Sequence, residues 1–268
     1  MEGSMKIYIS ADIEGITDVT HWDETNLDKP DSRAACEQMT AEVAAACEGA
    51  VKAGASEILV KDAHWQARNI DHHKLPKEAR LIRGWGQEPL MMVQGLDKSF
   101  DAVLLVGFHA RSGSGGSPLE HTNNPAYIHM KINDLYASEF LVFAYAAAWV
   151  GVPVALVTGD VWLAGQVKSV NPHISTVAVK EGIGESTVNI HPDAAIESIR
   201  EEAGKALKED LSQCLVKLPE QFKLEIRYKE AHAARRTSFY PGASLVDPFT
   251  VTFACRDYFE ALRFLFFA

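Results

Sequence analysis

The chain has 268 residues, 47% hydrophobic and 23% charged, with a formal net charge of -10. That length can bury the core of one large α/β domain, or of a main domain with a smaller one. The acidic balance argues against nucleic acid or an anionic membrane as the main partner, because both need a basic face. No apolar run approaches the roughly 18 to 20 residues of a membrane span, and residues 1–6 carry no basic and apolar leader, so a cytoplasmic location is expected.

The first apolar run, Ile7, Tyr8 and Ile9, predicts a strand that leads directly into Ser10-Ala11-Asp12-Ile13-Glu14-Gly15. In extended backbone Asp12 and Glu14 point to the same side. Two carboxylates converging there repel unless a cation lies between them or one takes up a proton. Acidic residues after a strand also serve as caps and turns, so this stretch alone does not decide for a metal. Residues 20–30 are polar and acidic and predict a loop. Asp31 or Ser32 can then cap an Ala-rich helix running to about Ala53, closed by Gly54. Residues 57–61, with the apolar core Ile58-Leu59-Val60, predict a buried strand ending in Asp62-Ala63-His64-Trp65. Leu81-Ile82 reads as a short strand, Gly84-Trp85-Gly86 as a surface turn in preference to the lining of a pocket, and residues 88–96 as a helix. Residues 101–107 form a clear buried strand that ends in Phe108-His109-Ala110-Arg111, so a strand with a polar end occurs a third time.

Residues 112–118 are rich in Gly and Ser and predict a mobile loop without the GK[ST] ending of a phosphate-binding loop. His121 follows, then a strand over 127–132, a turn at Asn133-Asp134, and a helix over 138–150 with Glu139 in its first turn. A buried strand over 152–158 ends in Gly159-Asp160. This alternation predicts an α/β fold, a mainly parallel sheet with helices on both faces. Further on come a helix over about 192–211, an alternating strand over 222–228, a turn at Tyr240-Pro241-Gly242, a strand over 250–254 and a helix over 257–267. We read residues 5–180 as the α/β portion and residues 181–268 as a smaller C-terminal α+β portion, with a soft boundary near Lys180. The last helix carries Phe259, Leu262, Phe264, Leu265, Phe266 and Phe267, more apolar surface than one face needs, which predicts burial between subunits or domains. Cys36, Cys47, Cys214 and Cys255 form no CxxC pair and read as buried thiols, not disulfides or zinc ligands.

The strand ends together supply Asp12, Glu14, His64 and His109, and Glu139 can reach in from a helix start. Three carboxylates and two imidazoles suit a pair of divalent ions, Zn²⁺ first, with Mn²⁺ or Fe²⁺ also compatible. Such a pair lowers the pKa of a shared water and polarises a carbonyl. Singly, His64 and His109 can be core or surface histidines, and Glu139 a favourable charge at a helix N-terminus. Their convergence favours the metal reading. Arg111 can bind a substrate carboxylate or stabilise an oxyanion, with a structural ion pair as the alternative.

The motifs SxDxEG at residues 10–15, DAH at 62–64 and GFHAR at 107–111, followed by His121 and Glu139, resemble those of the D-aminopeptidase family. So do Pro241-Gly242 and TVTFACRDYFEA at 250–261, and the similarity extends over nearly the whole chain. The resemblance implies a binuclear zinc site with ligands at Asp12, Glu14, His64, His109 and Glu139, with Asp12 as the bridge. It also implies a catalytic His121, cleavage of short peptides with a free amino terminus and D-residues, and a self-compartmentalising homo-oligomer, a ring of ten subunits (a decamer). Physically, His121 suits a general base or a donor to the tetrahedral intermediate. The rival readings are another metal-dependent amidase or phosphoesterase built on the same ligands, and a non-catalytic dipeptide-binding protein.

Overall fold

Residues 5–268 are described by a computed structural model. Strand β1 (Met5–Ala11) lies inside the main sheet, and its sequence explains why both faces are covered. Ile7, Ile9 and Ala11 belong to one apolar cluster, while Tyr8 belongs to the cluster on the opposite face. A strand apolar on both sides is what a parallel sheet between two layers requires.

The other strands of this sheet are β2 (Ala55–Asp62), β3 (Ala79–Ile82), β4 (Ala102–Phe108), and, beyond a small sheet described below, Val154–Asp160, Ser175–Ile183 and Ser186–Asn189. Between them the chain forms α1 (Ser32–Ala53), β5 (Tyr127–Ile132), β6 (Leu135–Tyr136) and α2 (Glu139–Val150). Val154–Asp160 is then β7, Val161–Val170 is α3, Ser175–Ile183 is β8, Ser186–Asn189 is β9 and Pro192–Ala206 is α4. The large sheet has the order β3-β2-β1-β4-β7-β8-β9, parallel throughout except for β9, which pairs antiparallel with β8. The chain moves outward from β1 to β2 and β3, then returns to place β4 on the other side of β1. That reversal is a topological switch point, where open α/β sheets form a crevice at the carboxyl ends of the strands.

Helices α1 and α4 cover one face, and their residues join Ile7, Ile9, Val60 and Leu104 in one core. They approach closely at Gly49, where an added Cβ would lie 2.4 Å from the Arg200 carbonyl oxygen. The other face packs against α2 and the small antiparallel sheet, which is completed by β10 (Phe222–Tyr228), β11 (Ser244–Asp247) and β12 (Thr250–Cys255) in the order β11-β12-β10-β5-β6. Helix α5 (Ala231–Thr237) and helix α6 (Tyr258–Phe267) complete this layer. The architecture is thus α/β with a smaller antiparallel sheet in an α+β region.

The two sheets are interleaved along the chain. The expected soft boundary near Lys180 falls inside β8, β9 and α4 belong with the large sheet, and β5 and β6 pair into the small one. The helix expected over residues 88–96 is only a 3-10 turn at Met91–Val93, because Met91 takes φ 44 and Gly95 takes φ 83. Asp31 stands at the cap of α1 without a side-chain capping bond, whereas Gly54 closes the helix at φ 109 as expected. Helix α3 has no counterpart in the sequence reading; the Asp160 carboxylate caps it by accepting from the Leu163 N–H at 2.7 Å. In α6, Leu262, Phe264 and Leu265 are buried within the chain itself, and only Phe267 of its phenylalanines is fully on the surface. All four cysteines are free. No helix among the described residues is long and apolar enough to cross a membrane.

Candidate metal centre

Three neighbouring strands end at the same edge of the sheet. The Asp12 N–H donates to the Val106 carbonyl at 2.9 Å and the Gly15 N–H to the Gly107 carbonyl at 2.8 Å, so the segment after β1 stays laced to β4. Gly15 has no room for a side chain, since a Cβ there would meet the Phe108 carbonyl oxygen at 1.8 Å. Gly107 bends β4 at φ 72, where only glycine fits freely, and this turn presents His109 to the crevice. His64 follows β2, whose pairing with β1 extends to the Ala63 N–H and Ala11 carbonyl at 2.8 Å. Glu139 is the first residue of α2, with Ser138 as the capping residue.

These elements bring together all five expected ligands, and each is buried. Asp12 Oδ1 lies 3.3 Å from His64 Nδ1, and Asp12 Oδ2 lies 3.5 Å from His109 Nε2. Glu14 Oε2 lies 2.9 Å from His64 Nδ1, and Glu139 Oε2 lies 3.4 Å from His109 Nε2. His121 joins them, its Nε2 3.5 Å from Glu139 Oε1 and its ring stacked on His109 with centroids 4.4 Å apart.

Each imidazole is oriented by a backbone carbonyl on its far side. His64 Nε2 pairs with the Thr25 carbonyl at 2.9 Å, His109 Nδ1 with the Ala110 carbonyl at 2.8 Å, and His121 Nδ1 with the Leu119 carbonyl at 3.0 Å. A ring that donates there turns its remaining lone pair toward the cluster, the outer-shell arrangement of metal-binding histidines. Glu14 Oε2, His109 Nε2 and Glu139 Oε2 are buried without a well-aligned hydrogen bond. Unsatisfied donor atoms of hard and borderline ligands, turned toward one another, fit a metal better than any protein partner among the described residues.

Two overlapping groups can hold an ion. The ligand atoms of Asp12, Glu14 and His109 lie within 4.8 Å of one another, and so do those of His109, His121 and Glu139. An imidazole has one free lone pair and serves one ion. The carboxylate of Asp12, with one oxygen toward His64 and the other toward His109, has the shape of a bridge between two ions.

The electrostatics agree. Burial, and after it the charge of Glu14, hold the Asp12 carboxyl well above the usual range. Burial also acts upward on Glu14 and Glu139, but it is outweighed by His64 at Glu14 and by His109 at Glu139, so both end below the usual range. Burial disfavours the imidazolium of His64 and His109, yet Glu14 and Glu139 respectively outweigh it; His64 is raised well above its ordinary value and His109 to about 10. His121 differs, since burial and the neighbouring His109 both push it down.

Sequence reading missed several supporting residues. The Asp62 carboxylate accepts from the Asn69 N–H at 2.6 Å and the Ile70 N–H at 2.9 Å. Asn69 in turn donates to the His64 carbonyl at 2.9 Å, which pins the His64 turn. Buried Lys180 donates to the carbonyls of Glu14 and Val19 and fixes the loop after β1. Arg111 lies outside the cavity at this centre: its guanidinium packs 4.3 Å from the Tyr136 ring centroid and 5.1 Å from that of Trp162, and donates to the Ser112 carbonyl. Among the described residues Arg111 makes no ion pair, and two aromatic faces flank it.

A cavity of about 360 Å³ opens beside the cluster, lined in part by Asp12, Glu14, His64, His121 and Glu139. Over residues 5–267 the sequence matches peptidase family M55, D-aminopeptidase. It is 32% identical over 263 residues to the D-aminopeptidase of Bacillus subtilis (strain 168), covering 97% of this chain and 94% of that protein. The fold is similar to that of "Zn-dependent D-aminopeptidase DppA from Bacillus subtilis, a self-compartmentalizing protease", with a TM-score of 0.90, 29% identity, and coverage of 97% of this chain and 95% of that one. With a cluster built for a pair of metal ions and a family match over nearly its full length, the chain belongs to the D-aminopeptidase family and is a metal-dependent hydrolase.

Proposed function

We propose that the chain is a binuclear zinc aminopeptidase that removes the amino-terminal residue from short peptides containing D-amino acids. The observation that carries this is the Asp12 carboxylate, which presents one oxygen to each of two histidine-containing ligand groups. Asp12, Glu14 and His64 would hold one ion, and Asp12, His109 and Glu139 the other. Bound Zn²⁺ would supply a Lewis acid and an activated water at neutral pH. Hydrolysis adds water across the amide, so that the C–N bond breaks and the amine leaves with a proton. His121 suits that proton traffic, taking the proton at Nε2 and returning it to the leaving nitrogen. Arg111, stacked on Tyr136 and Trp162, would stiffen the loop that leads to His121.

The relative's self-compartmentalisation suggests that this chain also forms a homo-oligomer, a ring of ten. Exposed Phe239, Phe267, Ile183 and Val188 are apolar surface that such an assembly would cover. Four free thiols fit a reducing cytoplasm.

The test is turnover of D- and L-amino acid amides against aryl phosphates, with metal content measured on the same protein. Cleavage of D-amides with two zinc ions bound supports the reading. Aryl phosphate cleavage without amide turnover makes the chain a phosphoesterase, and tight peptide binding without turnover makes it a binding protein. Metal loading gives a further expectation. Carboxylate neighbours hold His64 and His109 above their ordinary pKa and burial holds Asp12 above its own, so filling both sites with Zn²⁺, which takes these groups deprotonated, should release protons. Uptake should weaken as pH falls, because protons and zinc compete for the same lone pairs. Titration in weak buffer with a pH indicator reads this directly, and zinc uptake without proton release would remove the two histidines from the ligand set.

A further inference from the structure

We infer that the cavity beside the metal centre is a selectivity pocket for a large apolar, above all aromatic, side chain on the amino-terminal residue of the substrate. The inference rests on the aminopeptidase reading above and adds the class of substrate. Besides the ligands, the cavity is lined by Trp65, Trp85, Met91, Met92, Phe143 and Phe266. A peptide whose scissile carbonyl and free ammonium sit at the ligands has its first side chain left to pack against these apolar residues. A methyl group touches little of a cavity of about 360 Å³, whereas a flat ring matches aromatic and thioether walls.

The wall is built. Trp85 Nε1 donates to the Trp65 carbonyl at 2.6 Å, and Lys61 donates to the Gly84 carbonyl while its ammonium lies 4.1 Å over the Trp85 ring. The Gly86 N–H donates to Gln94 Oε1 at 2.9 Å, which ties this turn to the segment carrying Met91 and Met92. That segment is fastened to the strand that carries Asp12: Ser10 Oγ donates to the Met92 carbonyl at 2.7 Å and the Tyr8 hydroxyl to the Gln94 carbonyl at 2.8 Å. One strand thus sets the distance between ligands and apolar wall.

Backbone strain is concentrated at the same place. Among the described residues eight non-glycine residues have positive φ, and four of them line this cavity: Trp65 at 46°, Gln87 at 55°, Met91 at 44° and Asn123 at 60°. Left-handed conformations of bulky residues are costly and persist where the surroundings enforce them, which is characteristic of ligand sites. Glu88 also lines the cavity, and the Lys61 ammonium behind Trp85 lies within its field.

The experiment compares kcat/KM of the zinc-loaded full chain for the amides of phenylalanine, leucine, alanine and lysine, each in D and L form, read within the chirality that is cleaved. The phenylalanine amide should exceed the alanine amide by at least about tenfold, the scale set by filling an apolar pocket. Trp85→Ala should collapse that ratio at unchanged zinc content, and Trp65→Ala, at a ring that is 56% exposed, should reduce it without threatening the fold. An alanine amide cleaved as well as phenylalanine, a lysine amide cleaved best, or a ratio that survives both substitutions overturns the pocket while leaving the aminopeptidase intact. Absence of cleavage of every amide overturns the aminopeptidase reading and the pocket with it.

Discussion

Asp12→Ala should cost the chain both zinc ions and more than about three orders of magnitude in kcat while leaving the fold in place. That loss exceeds what removing one electrostatic element from an active site typically causes, because the proposed bridge serves two ions with one carboxylate. Its Oδ1 faces His64 and its Oδ2 faces His109, so in the proposed assignment it belongs to both ligand groups. The fold should survive for an electrostatic reason. Asp12 is a buried carboxylate beside Glu14, and both its burial and that neighbour disfavour its charge. Without it, His64 still pairs with Glu14 and His109 with Glu139, so no imidazolium is left alone in the interior. The hydrogen bond from the Ile13 N–H to Asp12 Oδ1 is the structural loss. Elemental analysis, circular dichroism and kcat on one preparation decide it. Two zinc equivalents per chain in the variant would remove the bridge, and an unfolded variant would make Asp12 structural; Asp12→Asn, which keeps the shape and loses the charge, separates the two cases.

The ligands were legible because they depend on local pattern. A buried strand followed at once by Asp, Glu or His occurs three times, and a parallel sheet gathers its carboxyl ends on one edge. Glu139 was legible as an acidic residue in the first turn of a helix, although its reach toward His109 was not. The cavity lining was legible only as the less favoured of two readings. Gly84-Trp85-Gly86 has no periodicity and reads as a surface turn, yet Trp85 is turned into the cavity by Lys61, by Gln94 and by the carbonyl of Trp65, 20 residues earlier in the chain. Lys180 was hidden, because its role depends on β8 lying beside the loop after β1, a pairing across more than 160 residues. The sharing of β5 and β6 with the C-terminal sheet follows from long-range pairing of the same kind, Leu224 with Ile132 and Ile226 with Met130. Local chemistry therefore announced the ligands, and tertiary pairing determined what surrounds them.

His121→Ala should keep both zinc ions and normal stability but lose at least about a hundredfold in kcat, the lower scale for a positioned general base. His121 follows the Gly- and Ser-rich loop of residues 112–118 and lines the cavity. The Glu120 carboxylate holds the preceding loop by accepting from Ser114 Oγ and the Gly116 N–H. The ring is set by three contacts: the Leu119 carbonyl at Nδ1, the stacked His109, and Trp22 at 5.5 Å between centroids. Proximity alone allows His121 to be a ligand, since its Nε2 falls in one group with His109 and Glu139. Glu139 argues for the other role. Its Oε2 is turned toward His109, while its Oε1 accepts from the Asn123 N–H at 2.7 Å and lies against His121 Nε2. One oxygen is thus placed for a metal and the other for steadying a proton on His121. Burial and His109 also keep His121 below its ordinary pKa, so above that value it is neutral and able to accept a proton, unlike the two raised histidines. Zinc stoichiometry and kcat measured in parallel separate the roles: lost zinc with lost turnover makes His121 a ligand, and near-normal turnover removes it from the chemistry. Lost turnover with full zinc leaves it as the group that moves the proton.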